Sequence, residues 1–258
     1  MRRVSLPVVI LASVAIAALL TWIALSSASF GQRAHRTDAA AARAEPVTRA
    51  LPPFAQLDVS GTAEVMLVQG AAESVTIAAD GRRHGRIDAE VRDGTLFVRS
   101  TDSSRWWDMI FGGGGRSPQV VVTFRDLTAI AAAGTVKLSA GTLKADALAI
   151  AGAGGTAIRI DDLTARSLRL SGAGALKADI AGRVTDQTVT ISGAGDYRGG
   201  RLASENVTVN VAGAGQVVVN AEKTLKANIS GAGSVEYVGD PQVIERVSGA
   251  GRVRRRAA

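Results

Sequence analysis

Asp146, Asp161, Asp162, Asp179 and Asp196 are the side chains of this 258-residue chain with the most chemistry to offer. Two carboxylates facing one groove are what hydrolysis of a polysaccharide requires. Some of these acids could align, since Asp161 and Asp179 lie 18 residues apart and Asp146 and Asp186 lie two periods of an internal repeat apart. Aspartate in turns is also the ordinary solvated choice, and no His or Arg recurs beside these acids. They therefore predict no catalytic residue. His35 and His84 are too few for a three-His zinc site, and the absence of cysteine excludes thiolate metal sites, a redox Cys pair and a cysteine nucleophile. His84 sits in a basic Gly81–Arg86 stretch that reads as a surface turn. The expectation is no metal and no cofactor.

A second group could bind rather than react. Residues 101–118 read TDSSRWWDMIFGGGGRSP, placing Trp106, Trp107, Met109, Ile110 and Phe111 beside four glycines. Large apolar side chains on a loop between strands suit a sugar ring, a lipid interface or a partner protein. The competing reading is that they fold back to cover a seam or end of the domain.

These groups must be positioned by a repeat. Small-Gly-Ala-Gly recurs from Ala151, Ser171, Ser192, Ala212, Ser230 and Ser248, with a degenerate copy from Ala131. The intervals are 20, 20, 21, 20, 18 and 18 residues, a near-constant period that marks a solenoid. Apolar residues alternate before each copy (Val189 and Ile191, Val207 and Val209) and after it (Leu176 and Ala178, Val217 and Val219), which predicts strand, corner, strand. The corners are Gly152 and Gly154, Gly172 and Gly174, Gly193 and Gly195, Gly213 and Gly215, Gly231 and Gly233, and Gly249 and Gly251. A sharp corner repeated rung on rung needs residues that accept positive φ or lack a Cβ. Nucleotide binding is disfavoured: a strand rather than a helix follows Gly152–Gly155, and no Gly-Lys-Ser/Thr occurs. A calcium-binding repeat would need a regular aspartate, and only Asp196 follows a copy.

The first half alternates in the same way at Leu57, Val59, Val65, Leu67, Val75, Ile77, Ile87, Val91, Leu96 and Val98, with Ser60–Ala63 as a worn corner. These read as opening rungs with longer links. The expected fold is all-β, a single-stranded right-handed parallel β-helix of 18–21-residue rungs over residues 53–251, plus one N-terminal hydrophobic helix; the hand comes from the crossover rule. Residues 4–25 are uncharged behind Arg2 and Arg3. That run is long for a cleaved signal and long enough to span a membrane, so residues 1–28 read as a signal peptide cleaved after Ala28 or as a membrane anchor. Residues 29–52 read as a linker and 252–258 as a basic tail. The net charge of +7 falls to about +1 once Arg2, Arg3, Arg252, Arg254, Arg255 and Arg256 are set aside, which speaks against nucleic acid as a partner.

Phe54-x-x-Leu57-x-Val59-Ser60-Gly61 with Val65-x-Leu67, the Asp93-Gly94-x-Leu96 turn and the iterated Ser-Gly-Ala-Gly resemble the bacterial DUF2807 family, labelled "putative auto-transporter adhesin, head GIN domain". The resemblance covers roughly residues 53–251. It implies an exported β-helical domain and transfers no catalytic motif. The expected function is a non-enzymatic binding or adhesion-type module of the bacterial cell envelope, in the periplasm or at the cell surface, with an envelope protein or glycan as partner. An uncleaved 4–25 segment would hold it in the inner membrane. The alternatives are a self-associating structural envelope protein and a glycan-active enzyme.

Overall fold

The computed structural model of the chain describes residues 47–78, 86–101 and 119–256. They contain strands and turns only: β1 (Val47–Ala50), β2 (Gln56–Gln69), β3 (Ser74–Ala78), β4 (Arg86–Arg92), β5 (Thr95–Thr101), β6 (Gln119–Phe124), β7 (Ala129–Gly231), β8 (Ser234–Val238), β9 (Gln242–Gly249) and β10 (Arg252–Arg255). The 103 residues of β7 would reach roughly 340 Å if straight. They are instead wound in coils that stack on one another. Gly154 lies on Gly134, Gly174 on Gly154, Gly193 on Gly174, Gly213 on Gly193 and Gly231 on Gly213. Side-chain pairs 18–22 residues apart run up the outside, as in Asp146–Arg166, Asp179–Arg201 and Asn210–Asn228.

The inside is a set of aliphatic columns. Leu96, Leu57 and Ile130 form one, and Val120, Val65 and Leu138 another, in the parallel ladders of β5, β6 and β7 with β2. At the far end Val217 pairs with Val235 and Leu225 with Val243. Nearly every inward side chain is Val, Ile, Leu or Ala and is almost completely shielded. Alternation puts these residues on one face of each strand, and burial of that face excludes any one-residue slip of a coil.

The corner explains the glycines. Gly213 has φ +129°, and a Cβ there would fall 2.5 Å from the Gly193 carbonyl oxygen. Only glycine accepts both the left-handed backbone and so close an approach. The left-handed residue is the fourth of its motif at Gly134, Gly154 and Gly174, and the second at Gly193, Gly213, Gly231 and Gly249. The column is therefore continuous, while the motif slips by two residues across it. The other glycine of each copy faces the interior. Gly152 and Gly172 lie against Thr156 and Leu176, and Gly195, Gly215, Gly233 and Gly251 against Ile191, Val211 and Ile229.

The expected purely parallel β-helix is corrected: the sheet is mixed. β1 pairs antiparallel with β3, β3 with β6, and β4 with β5. The first half does not supply successive opening rungs. β2 lies between β7 on one side and β5 with β6 on the other, so the chain leaves β2, builds outward, and returns to it. The reason is local. Asp93 and Gly94 both have positive φ, 49° and 72°, which makes a two-residue turn between Arg92 and Thr95 of the kind that closes an antiparallel hairpin. The expected N-terminal helix falls outside the described residues, which include no helix that could support it. Arg252–Arg255, read as part of a basic tail, form β10 beside β8.

One polar cluster interrupts the aliphatic interior. Gln187 Nε2 donates to the Tyr197 hydroxyl at 2.5 Å, and the Ser204 hydroxyl donates to Gln187 Oε1 at 2.8 Å. All three side chains are buried. Burial pushes the Tyr197 phenol well up from its ordinary value, and the charge of Asp179 adds to this; Tyr197 stays neutral.

Two predictions follow the packing. Gly213→Ala is expected to destabilise the domain by about 2–3 kcal/mol in chemical denaturation, whereas Gly141→Ala, at a site with open space around it, changes stability by no more than about 0.5 kcal/mol; equal effects would refute the corner argument. Tyr197→Phe should cost about 1–3 kcal/mol by stranding the Gln187 amide. Adding Gln187→Leu should recover part of that loss, because Ser204 retains the Leu202 carbonyl as acceptor.

Candidate functional site

Each coil presents an outward face of short polar residues, and the acids singled out from the sequence lie there. Arg166 donates twice to Asp146, both at 2.8 Å. Arg159 pairs with Asp161 at 2.9 Å, Arg201 with Asp179 at 3.0 Å and Arg198 with Asp196 at 2.8 Å. Asp186 accepts from the Asn206 amide at 3.0 Å, and Asp162 is exposed. The guanidinium of Arg166 holds the Asp146 carboxyl below the usual carboxylate range. A carboxylate clamped by arginine stays ionised and serves poorly as a general acid. The expectation that no arginine stands beside these acids is corrected. Two of the partners lie 20 and 22 residues away in sequence, visible only once the coil is wound. Among the described residues, no three His, Asp or Glu side chains gather as a metal cage would require.

The acids do not converge on one centre. Asp196, joined by Asp179 from the coil before, lies in a trough across four successive coils with a group whose charge density reads as a tail. The trough is a cavity of about 790 Å³. Asp196, Arg198, Gly200 and Arg201 lie on the first coil; Gln216 and Val218 lie on the second, with Gly215 directly over Gly195. Ser234 and Glu236 of β8 pair with Gln216 and Val218. Arg252 and Arg254 of β10 pair with Ser234 and Glu236 in turn. Arg255 and Arg256 complete the far wall.

Five arginines line this trough against three carboxylates. Arg254 and Arg256 both pair with Glu236, and Arg255 reaches Asp240 at 3.3 Å. Arg254 holds Glu236 below the ordinary carboxylate range, chiefly through its hydrogen bond. The arginine side chains remain well over half exposed. The sequence did contain a signal for this strand. Arg252-Val253-Arg254 continues the alternation of Ser234-Val235-Glu236, one 18-residue step later.

The aromatic group Trp106, Trp107, Met109, Ile110 and Phe111 lies outside the described residues. Its point of insertion is nevertheless defined. β5 pairs with β2 through Arg99 opposite Ser60, and β6 resumes with Gln119 opposite Glu64. The described strands on either side, β5 and β6, thus meet β2 before and after its corner at Gly61. Among the described residues no helix is long and apolar enough to cross a membrane.

Residues 53–241 match the DUF2807 family, described as "Putative auto-transporter adhesin, head GIN domain". No curated protein matches the chain. A "putative adhesin" from Bacteroides fragilis NCTC 9343 has a similar structure, with a TM-score of 0.70 at 20% identity over 82% of this chain and 97% of that one. A second "putative adhesin", from Parabacteroides merdae ATCC 43184, aligns at a TM-score of 0.60 and 17% identity over 83% of this chain and 96% of its own. A "putative lipid binding protein" from Parabacteroides distasonis ATCC 8503 aligns at 0.58 and 18% identity over 82% of this chain and 97% of its own. At such identities the likeness is one of fold. The family match takes in β2, the antiparallel hairpin and nearly all of the coiled stack, and on that basis the chain belongs to the DUF2807 family.

Proposed function

We propose that the chain is an exported, non-enzymatic binding module of the bacterial cell envelope, of adhesion type. The observation that carries this reading is the arrangement of the outward faces. They form a long ladder of ion pairs and amides in which Asp146, Asp161, Asp179 and Asp196 are held apart and tied to arginines. Such a surface suits recognition of an extended partner over several rungs, and family membership points the same way. The 102–118 segment is a second candidate contact. Its Trp106, Trp107, Met109, Ile110 and Phe111 are the large apolar residues that suit such a contact. Export rests on the uncharged 4–25 run behind two arginines.

Self-association through the end of the stack is disfavoured by the composition of β9. Its register places Glu245 beside Ala227, in a column that is otherwise aliphatic, and Arg246 beside Asn228 at the end of the Asn210–Asn228 ladder. Charged residues in such positions block edge-to-edge pairing.

Retention on an immobilised envelope polysaccharide fraction, with no new reducing ends released, is the expected behaviour; release of reducing ends would make the chain an enzyme. Trp106→Ala/Trp107→Ala should weaken retention by about tenfold with an unchanged unfolding midpoint, and a lowered midpoint would assign the tryptophans to packing. In sedimentation, the full chain in detergent should stay monomeric. Glu245→Ala/Arg246→Asn, which gives β9 the residues of the preceding coil, should associate at lower concentration.

A further inference from the structure

We propose that the trough across the last four described coils binds an anionic glycan chain, with Arg198 and Arg201 on one wall and Arg254, Arg255 and Arg256 on the other as its anion contacts. The proposal rests on the binding-module reading and names the ligand class that this surface would take. The two walls stand three inter-strand spacings apart, roughly 14 Å. Between them the side chains are short: Gln216, Val218 and Ser234 form the floor, and Gly200 leaves it open beside Val218. The result is a channel open along its length rather than a closed pocket.

The charge pattern selects the ligand. The arginines outnumber the carboxylates, and their existing pairs are solvent-screened and weak. A ligand carboxylate or sulfate can therefore take over a guanidinium. The planar fork of arginine matches such paired oxygens in bidentate fashion. Asp179, Asp196 and Glu236, with Ser234 and Gln216, then remain as hydrogen-bond partners for sugar hydroxyls. A flat lipid surface cannot follow the recess between the walls. Single-stranded nucleic acid would look for aromatic faces on which to stack its bases, and among the described residues no aromatic side chain lines the trough.

The test uses the full chain in detergent, titrated with polygalacturonate, dextran sulfate, neutral dextran, phosphatidylglycerol vesicles and a single-stranded oligonucleotide. Binding of polygalacturonate or dextran sulfate that weakens with salt is expected, with none to neutral dextran. The carboxylated and sulfated polymers distinguish the two anion types. Arg254→Ala/Arg255→Ala/Arg256→Ala should reduce affinity about tenfold or more. Arg198→Ala/Arg201→Ala should do the same without altering the C-terminal strand, while Arg92→Ala, whose partner Glu90 lies on the β4 hairpin strand away from the coil ladder and the trough, should have no effect. If both trough variants bind the anionic polymers as the native chain does, or if neither polymer binds, the trough assignment fails. Loss confined to Trp106→Ala/Trp107→Ala would overturn the trough while leaving the binding-module reading intact. Vesicle or oligonucleotide binding that depends on the trough arginines, without polymer binding, would replace the glycan by that class.

Discussion

The corner of each coil is a backbone stacked on a backbone. One left-handed glycine sits against the carbonyl of the glycine below, with no room for even a methyl group. Everything else follows from that contact. It sets the height at which each coil lies on the last, and so which aliphatic side chains meet in the interior and which polar ones meet outside. A β-strand alone tolerates slippage when its surface is uniform. Here a two-residue slip one way would bring Val211 into the place of Gly213, whereas the other way brings Gly215. The column of absences therefore narrows the registers open to the chain, while most of the stability comes from Val, Ile, Leu and Ala columns that would be satisfied by several registers.

The second half of the molecule was legible because its period is short and its corners are marked. Spacing and alternation together located the strands and the inward residues. The first half was misjudged for a reason also present in the sequence. Asp93-Gly94 between two alternating runs is a hairpin signal, yet the surrounding apolar pattern suits a parallel rung equally well. Alternation reports which face is buried and is silent on strand direction. The return of the chain to β2 was beyond reach from pattern alone, since it depends on which strand edges remain open after the hairpin forms. Gln187 and Ser204 were missed because they are polar, although Gln187 keeps the phase of Val189 and Ile191.

The charged surface shows the same division. The acids could be listed from the sequence, and the partners a full coil away could not. Arg166 and Arg201 reach back a full coil to Asp146 and Asp179. The C-terminal arginines looked like a tail because their density overshadowed the alternation, yet their register with Ser234 and Glu236 makes them a strand. Counting charges located the basicity correctly and misread its form. The same residues, placed on a rung, face Arg198 and Arg201 across a trough.

The slip of the left-handed glycine from the fourth to the second place of its motif, between Gly174 and Gly193, limits how such a protein can grow. Coils that look interchangeable belong to two phases. Duplicating a coil within either phase extends the stack and preserves every column. Exchanging a coil across the boundary would keep glycine at the corner, since the second and fourth places are both glycine in every complete copy, but would shift the flanking strands by two residues against their neighbours. The array is thus two shorter arrays in tandem, and changes in its length by copying are confined to each one separately.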